Sequence, residues 1–361
     1  MKDKVSFKKV ISFGGAFIAL LIGSGFATGQ ELMQYFAAYG NMGVVGILIV
    51  FILFLILGNE LILTGYDINF ENPNDIYFEV CGKTLGRFFD YFSVFFLFLS
   101  YTVMVAGAQA TAVEQYNAPK FIGGIVLAFF VILTVYFGLD KIVNIIGSIG
   151  PVIVILAIGV GTISVVRNIS NLPQAANDLE MALNSKELNV ASSNVILAAG
   201  SYVGFCVIWL SGFLASLGKE LSNEKEGKLS IFTGAFGFCL ASFIVSVAIY
   251  LSIGKVYSSQ IPMLILAREI HPVLAHIFSI VIFLGIFTTA VPLLWNVVAR
   301  FGEDKSKKYR MLTIILGIIG AIVGLTINFS KLVNIVYVIN GYIGLVFAIL
   351  LISRYIKRKI K

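Results

Sequence analysis

Apolar runs of about 20 residues recur along the whole chain, and each is long enough for a helix to cross a ~30 Å hydrocarbon core. Nothing else in the sequence restricts the fold as strongly. Ten such runs are read, at about 10–38, 42–65, 88–114, 120–138, 142–166, 191–217, 229–253, 274–299, 310–328 and 332–353. The balance of residues agrees: 58% are hydrophobic and 12% charged, with a mean hydropathy of +0.95. A soluble domain is nearer half apolar and a quarter charged. The expected class is an all-α membrane protein. Cys81, Cys206 and Cys239 lie in or beside apolar stretches without metal-ligand spacing, so they read as small hydrophobes. The basic N-terminus is kept as the start of the first span, because its apolar run outlasts a signal-peptide core.

An even number of spans places both termini on one side. With the termini inside, 20 of the 26 lysines and arginines fall in inner segments, which favours cytoplasmic N- and C-termini. The net charge of +7 follows from this asymmetry and does not point to nucleic acid. The long outer connection 167–190 divides the single domain, 1–361, into five-span halves at about 8–166 and 190–354. An odd number of spans per half inverts the second half relative to the first, as in transporters built from inverted repeats.

The halves open alike. Span one carries "GSGFATG" at 23–29 and span six carries "GSYVGF" at 200–205. Glycine costs about 1 kcal/mol against alanine inside a helix, and serine offers the backbone a competing bond. Both spans are therefore expected to be broken at mid-membrane. The alternative is close packing, since Gly25-xxx-Gly29 has small-xxx-small spacing.

A broken helix leaves N–H groups that attract a carboxylate and carbonyls that suit a small cation. Gly23, Ser24 and Gly25 are the expected solute contacts. Glu31 lies six residues beyond Gly25, roughly 9 Å along a helix, and an intramembrane carboxylate should face the bundle interior. It would bind a solute ammonium, carry a proton or cap a neighbouring helix; the sequence leaves these open. Tyr101, Ser201 and Tyr202 are candidate pocket residues by depth. Thr288 and Thr289 offer hydroxyl oxygens to an ion or bond back to the preceding turn, and Pro292 frees a carbonyl near position 288. Glu60 is expected to bond the freed backbone of span six or to serve coupling. Asp67, Asp90, Asp140 and Glu114 read as solvated helix-end acids, and His271 and His276 lack a second ligand at metal spacing. No catalytic triad, zinc motif, nucleotide loop or paired catalytic carboxylates occur, so no enzyme is expected.

The segment "GSGFATGQE", followed by "LMQYFAAYG", resembles the YkvI-like membrane proteins of bacteria, a branch of the amino acid–polyamine–organocation superfamily. The resemblance covers essentially the whole chain. It implies a LeuT-type fold, ten transmembrane helices in a five-plus-five inverted repeat with helices 1 and 6 broken, in the bacterial cytoplasmic membrane. It implies a solute carboxylate at Gly23, Ser24 and Gly25, and a Na⁺ held by carbonyls of Ala19, Ile22 and Gly285 with the hydroxyls of Thr288 and Thr289. A mid-span-five lysine, found in some proton-coupled relatives, is matched only by Lys141 at that span's inner mouth. Glu31 has no counterpart in the general pattern. The expectation is a secondary active transporter of a small amphoteric solute, an amino acid or derivative, coupled to Na⁺ or H⁺ and needing no cofactor. The alternative is a ligand-sensing receptor of the same fold, as in spore-germinant receptors; a channel is a third class.

Overall fold

The computed structural model describes residues 5–138, 143–303 and 305–360; Asp140 and Lys141 lie outside the described residues. Every regular element among the described residues is helical. The first five α-helices are α1 (Phe7–Leu21), α2 (Ser24–Thr28), α3 (Gln30–Tyr35), α4 (Met42–Ile68) and α5 (Ile76–Tyr116). Next come α6 (Ile122–Phe137), α7 (Val143–Asn168), α8 (Leu172–Asn184), α9 (Val195–Gly218) and α10 (Glu224–Leu251). The chain ends with α11 (Ile253–Val256), α12 (Pro262–Ile270), α13 (Pro272–Ala299), α14 (Lys307–Thr326) and α15 (Phe329–Ile360).

Among the described residues, eight helical segments are long and apolar enough to cross a membrane. Helix α6, at 16 residues, falls short of that length, and the first apolar run is divided among α1, α2 and α3. Helices start where their caps are: the side chains of Ser6, Asn194, Asn223 and Ser306 each accept an N–H from the first turn that follows. Large apolar side chains such as Ile125 and Phe129 on α6 and Ile318 and Ile322 on α14 face outward, as hydrocarbon permits and water would not.

Both ends of the chain meet one face. The Ser6 N–H donates to Glu226 at 3.0 Å, and Arg358 donates to Asp67 at 2.5 Å. That face is the terminal face below, and its opposite the far face. The far face carries three helices absent from the sequence reading, α8, α11 and α12. The entrance to α5 also differs, beginning at Ile76 with a bend at Gly82, whose φ of +71° suits glycine.

The expected break in span one is present and doubled. Helix α1 stops at Leu21, and Gly29 then adopts φ +80° between α2 and α3. The expected break in span six is not found. Helix α9 is a single α-helix of 24 residues through Gly200, Ser201 and Gly204. Its glycines serve packing: a Cβ on Gly204 would collide with the Gly341 carbonyl of α15, and one on Gly344 would collide with Gly204. Close backbone approach offsets the helix-weakening tendency of glycine here.

Candidate functional site

At the end of α1 the Gly23 amide turns back to the Leu21 carbonyl at 3.1 Å. In a continuous helix it would reach Ala19, so the Ala19 carbonyl loses its helical donor. Gly23 is the N-cap of α2 and has no side chain with which to cap it. The first amides of α2, at Ser24 and Gly25, thus begin a helix without a capping side chain. The Ser24 side chain lies outside the described residues. Thr28 closes the short helix by donating to the Gly25 carbonyl at 3.0 Å, and its hydroxyl accepts the Gln30 N–H at 3.3 Å.

Glu31 follows in the first turn of α3 and is buried. Its carboxyl folds back over Gly25, where any Cβ would strike Oε2. The Tyr202 hydroxyl of α9 donates to Glu31 Oε1 at 2.6 Å. Tyr202 packs edge-on to Tyr35 at 5.2 Å and against Phe36 at 5.0 Å. Three expected site residues, Gly25, Glu31 and Tyr202, therefore meet.

A cavity of about 600 Å³ reaches Gly23 from the terminal face. Thr289, Pro292 and Trp295 of α13 form one wall, and Ile208, Trp209 and Gly212 of α9 form another. Both tryptophans of the chain thus line one space. The Trp209 indole nitrogen is buried and has no partner among the described residues. At the mouth, Arg300 pairs with Asp90, which also accepts from Asn74 at 3.3 Å. Asp90 is buried, which corrects its reading as a solvated helix-end acid.

The far side of the break is closed by side chains. With its amide oriented to satisfy its neighbours, Gln30 donates to the carbonyls of Ser259 (3.1 Å) and Gln260 (3.2 Å) and accepts from Gln34 at 2.8 Å. Gln34 also donates to the Ser330 carbonyl at 2.8 Å and accepts from Asn334 at 3.0 Å. Glu114, also expected to be solvated, accepts the Ser259 hydroxyl and the Gln260 amide, each at 2.6 Å. It fixes the turn that leads into α12. Sequence reasoning missed this carboxylate because its partners lie some 145 residues away, although a glutamate ending a long apolar run opposite a Ser-Gln-Ile-Pro turn was a usable signal.

The other expected residues fall in different places. Thr288 and Thr289 both donate to the Gly285 carbonyl, at 3.1 and 2.9 Å. That saturates the Gly285 oxygen and leaves the hydroxyl lone pairs free. The methyl of Thr289 lies 3.9 Å from where a Gly23 Cβ would stand, so the threonine pair adjoins the break. Ile22 caps α1 through its amide on Ile18 at 2.9 Å. Tyr101 is not in the cavity wall; it donates to the Gly317 carbonyl at 3.1 Å and packs on Gly320 of α14. Ser201 donates to the Val338 carbonyl at 3.3 Å, toward α15. Glu60 pairs with Arg354 at 3.1 Å and accepts from Thr64 at 3.4 Å. It does not bond freed backbone of α9, because α9 has no break to free it. His271 caps α13 by accepting the Val273 N–H at 3.2 Å, and His276 meets Gln115 at 3.1 Å. No cluster of His, Cys, Asp or Glu able to hold a metal occurs among the described residues.

No protein-family model matches the chain. It is 26% identical over 341 residues to the Bacillus subtilis (strain 168) "Uncharacterized membrane protein YkvI", with 92% of each chain covered. It is 22% identical over 326 residues to "Uncharacterized protein YyaD" of the same organism, covering 90% of each. Among solved structures it resembles a Na⁺-coupled sialic acid symporter in a substrate-bound outward-open state, with TM-score 0.56 and 12% identity. That match covers 90% of this chain and 72% of the other. It also resembles a mutant manganese transporter of Eremococcus coleocola, with TM-score 0.58 and 11% identity, over 95% and 78% of the two chains. The fold is that of a membrane transporter. Both solved structures are transporters rather than enzymes, and the chain is a multi-spanning membrane protein.

Proposed function

We propose that this protein is a secondary active transporter that moves a small amphoteric solute, an amino acid or derivative, by alternating access. One observation carries the reading: the backbone break at Gly23 is reached by a cavity from the terminal face and closed from the far face by hydrogen-bonded side chains. A site in mid-span with access from one side is what alternating access requires. The uncapped amides at Ser24 and Gly25 suit a carboxylate. Its bacterial setting and cytoplasmic termini, and ten crossings in inverted halves 8–166 and 190–354, belong to the same proposal. In it the divided α1–α3 run is the first crossing and α6 the fourth.

The coupling ion in this reading is Na⁺. Its ligands are the carbonyls of Ala19 and Ile22 and the hydroxyl oxygens of Thr288 and Thr289, with Gly285 acting as the acceptor that orients both hydroxyls. The symporter of the same fold is Na⁺-coupled, which supports this choice of ion. Of the two expected breaks only that of span one serves as a hinge, because α9 is continuous and packed on α15; the moving part is the α1–α3 run.

Two steps test the reading. Thermal-shift screening of purified protein against amino acids and betaines, with and without Na⁺, identifies the solute through ligand stabilisation. Uptake of that solute into proteoliposomes under an inward Na⁺ gradient is then measured. Saturable, gradient-dependent uptake is expected, and binding without uptake would assign the protein to the receptors instead. Thr288→Ala with Thr289→Ala should raise the Na⁺ concentration that uptake needs.

A further inference from the structure

Four buried or half-buried carboxylates outside the break are compensated. Glu60 has Arg354 and Asp90 has Arg300. Glu226 accepts the backbone amides of Ser6 and Ser222, at 3.0 and 2.9 Å. Glu114 accepts three donors from the 259–261 turn. Glu31 has one, the Tyr202 hydroxyl. The ionisable side chains within electrostatic reach of it are Tyr35 on its own helix, Tyr202 and Cys206 on α9, and Tyr337 on α15; Cys239 of α10 is within reach of Tyr202. None of these is basic. A carboxylate held in hydrocarbon with no cation beside it needs one supplied.

The surroundings choose among cations. A sodium ion needs a shell of oxygens, whereas among the described residues the Glu31 carboxyl is met by the single hydroxyl of Tyr202, itself packed on the rings of Tyr35 and Phe36, and by Gly25. The Gly25 carbonyl is already engaged by Thr28. A proton needs only the free oxygen, Oε2, which lies over Gly25. The threonine pair adjoins the break from the Gly23 side, so the two positions are separate.

We infer that Glu31 is the proton-binding site of the transport cycle, a second coupling position beside the proposed Na⁺ site. In the state open to the far face, the carboxylate takes a proton from water, forming an O–H bond at Oε2 and losing its charge. Tyr202 continues to donate to Oε1. In the state open to the terminal face, that O–H bond breaks and the proton leaves past Gly23 to water in the cavity. Glycine at 25 keeps the space over Oε2 clear, which ties the protonation state to the shape of the break. This inference rests on the transport reading of the same site.

The test reads the proton directly, without the solute. Infrared difference spectra of the full-length protein in liposomes are recorded between alkaline and neutral buffer, a range in which exposed carboxylates stay ionised. A carboxylic-acid C=O band that titrates is expected in the wild type. It should vanish in Glu31→Gln, persist in Glu187→Gln, whose side chain is exposed, and shift in frequency in Tyr202→Phe, which removes the hydrogen bond to that carboxyl. A titrating band that survives Glu31→Gln, or no such band in the wild type, overturns the proposal. Should Glu31→Gln not fold, an unshifted band in Tyr202→Phe overturns it equally. Uptake of the amino acid chosen by thermal shift, with a pH dye inside the liposomes, separates the two readings. Acidification that accompanies uptake and is lost in Glu31→Gln supports the proton site, and uptake without it removes that site while transport stands. A titrating Glu31 with no uptake of any solute removes the transport reading and the coupling role with it, and leaves only proton binding at Glu31.

Discussion

Span one and span six carry nearly the same letters and fold in opposite ways. Gly25-xxx-Gly29 has the spacing of a packing motif and sits in a helix that comes apart. Gly200-xxx-Gly204 sits at what looked like the equivalent break, in a helix that runs straight through. The difference lies in what stands opposite. Gly204 meets the backbone of Gly341 and Gly344 on α15, so its missing side chain lets two helices touch. Gly29 uses its freedom in φ, and Gly25 makes room for a carboxyl from its own chain six residues on. Glycine in a membrane helix signals that a side chain would be in the way; whether of a neighbouring helix or of a bend is decided elsewhere.

The largest test of that contrast is Gly204→Ala. The new methyl would press on main-chain atoms of α15, which cannot swing aside as a side chain can. Overpacking of this kind costs about 1–3 kcal/mol and occasionally more. The expected result is a marked fall in melting temperature and in monodisperse yield. Unchanged stability would mean that α9 and α15 are not held at backbone contact.

Tyr202→Phe comes next, because Tyr202 is the side-chain bond that joins the two glycine segments. It leaves a buried carboxyl without its donor, a loss of about 1–3 kcal/mol. The fall in melting temperature should shrink when Glu31→Gln is also present, because the pair is coupled. Strict additivity in the double mutant would show that the bond does no work in holding span one to span six.

Much of this was legible in the sequence, for a physical reason. Membrane spans are local: twenty apolar residues suffice, and caps such as Asn194 and Ser306 lie next to the helices they start. The first break was legible too, since Gly-Ser-Gly and a further glycine weaken one helix within a single turn or two. What escaped was pairing across the fold. Glu60 was placed against a broken span six and instead finds Arg354, 294 residues later. Glu114 and Asp90 looked like surface acids and are partnered by a distant turn and a distant arginine. Tyr101 had the right depth, but its direction toward Gly317 depended on α14. The continuity of α9 was visible only if its Gly-xxx-Gly spacing was matched to "GYIG" at 341–344, and the same spacing at 25–29 gave the wrong lead.

Gly29→Ala is a smaller test. At φ +80° an alanine adopts the left-handed region at a cost of about 1–2 kcal/mol, and its methyl would approach Met263, a flexible side chain. A melting temperature lowered less than in Gly204→Ala is expected, because strain at one residue replaces a clash between two helices. An equal or larger loss would reverse the order and make the bend, rather than the packing, the more demanding glycine.

Gly23→Ala should do least to stability and most to separate structure from function. Its φ of −95° is open to alanine, and the added methyl would meet only the Thr289 methyl at 3.9 Å. The melting temperature of the ligand-free protein should stay within the range of a tolerated substitution, about 0.5 kcal/mol. Yet Gly23 stands at the end of the cavity, next to the uncapped amides and beside the threonine pair. A methyl there narrows the approach to both proposed ligands. The thermal shift given by the solute should therefore fall while the baseline does not move. If the baseline falls as it does for Gly204→Ala, then Gly23 is a packing glycine like those of span six and the break holds no ligand.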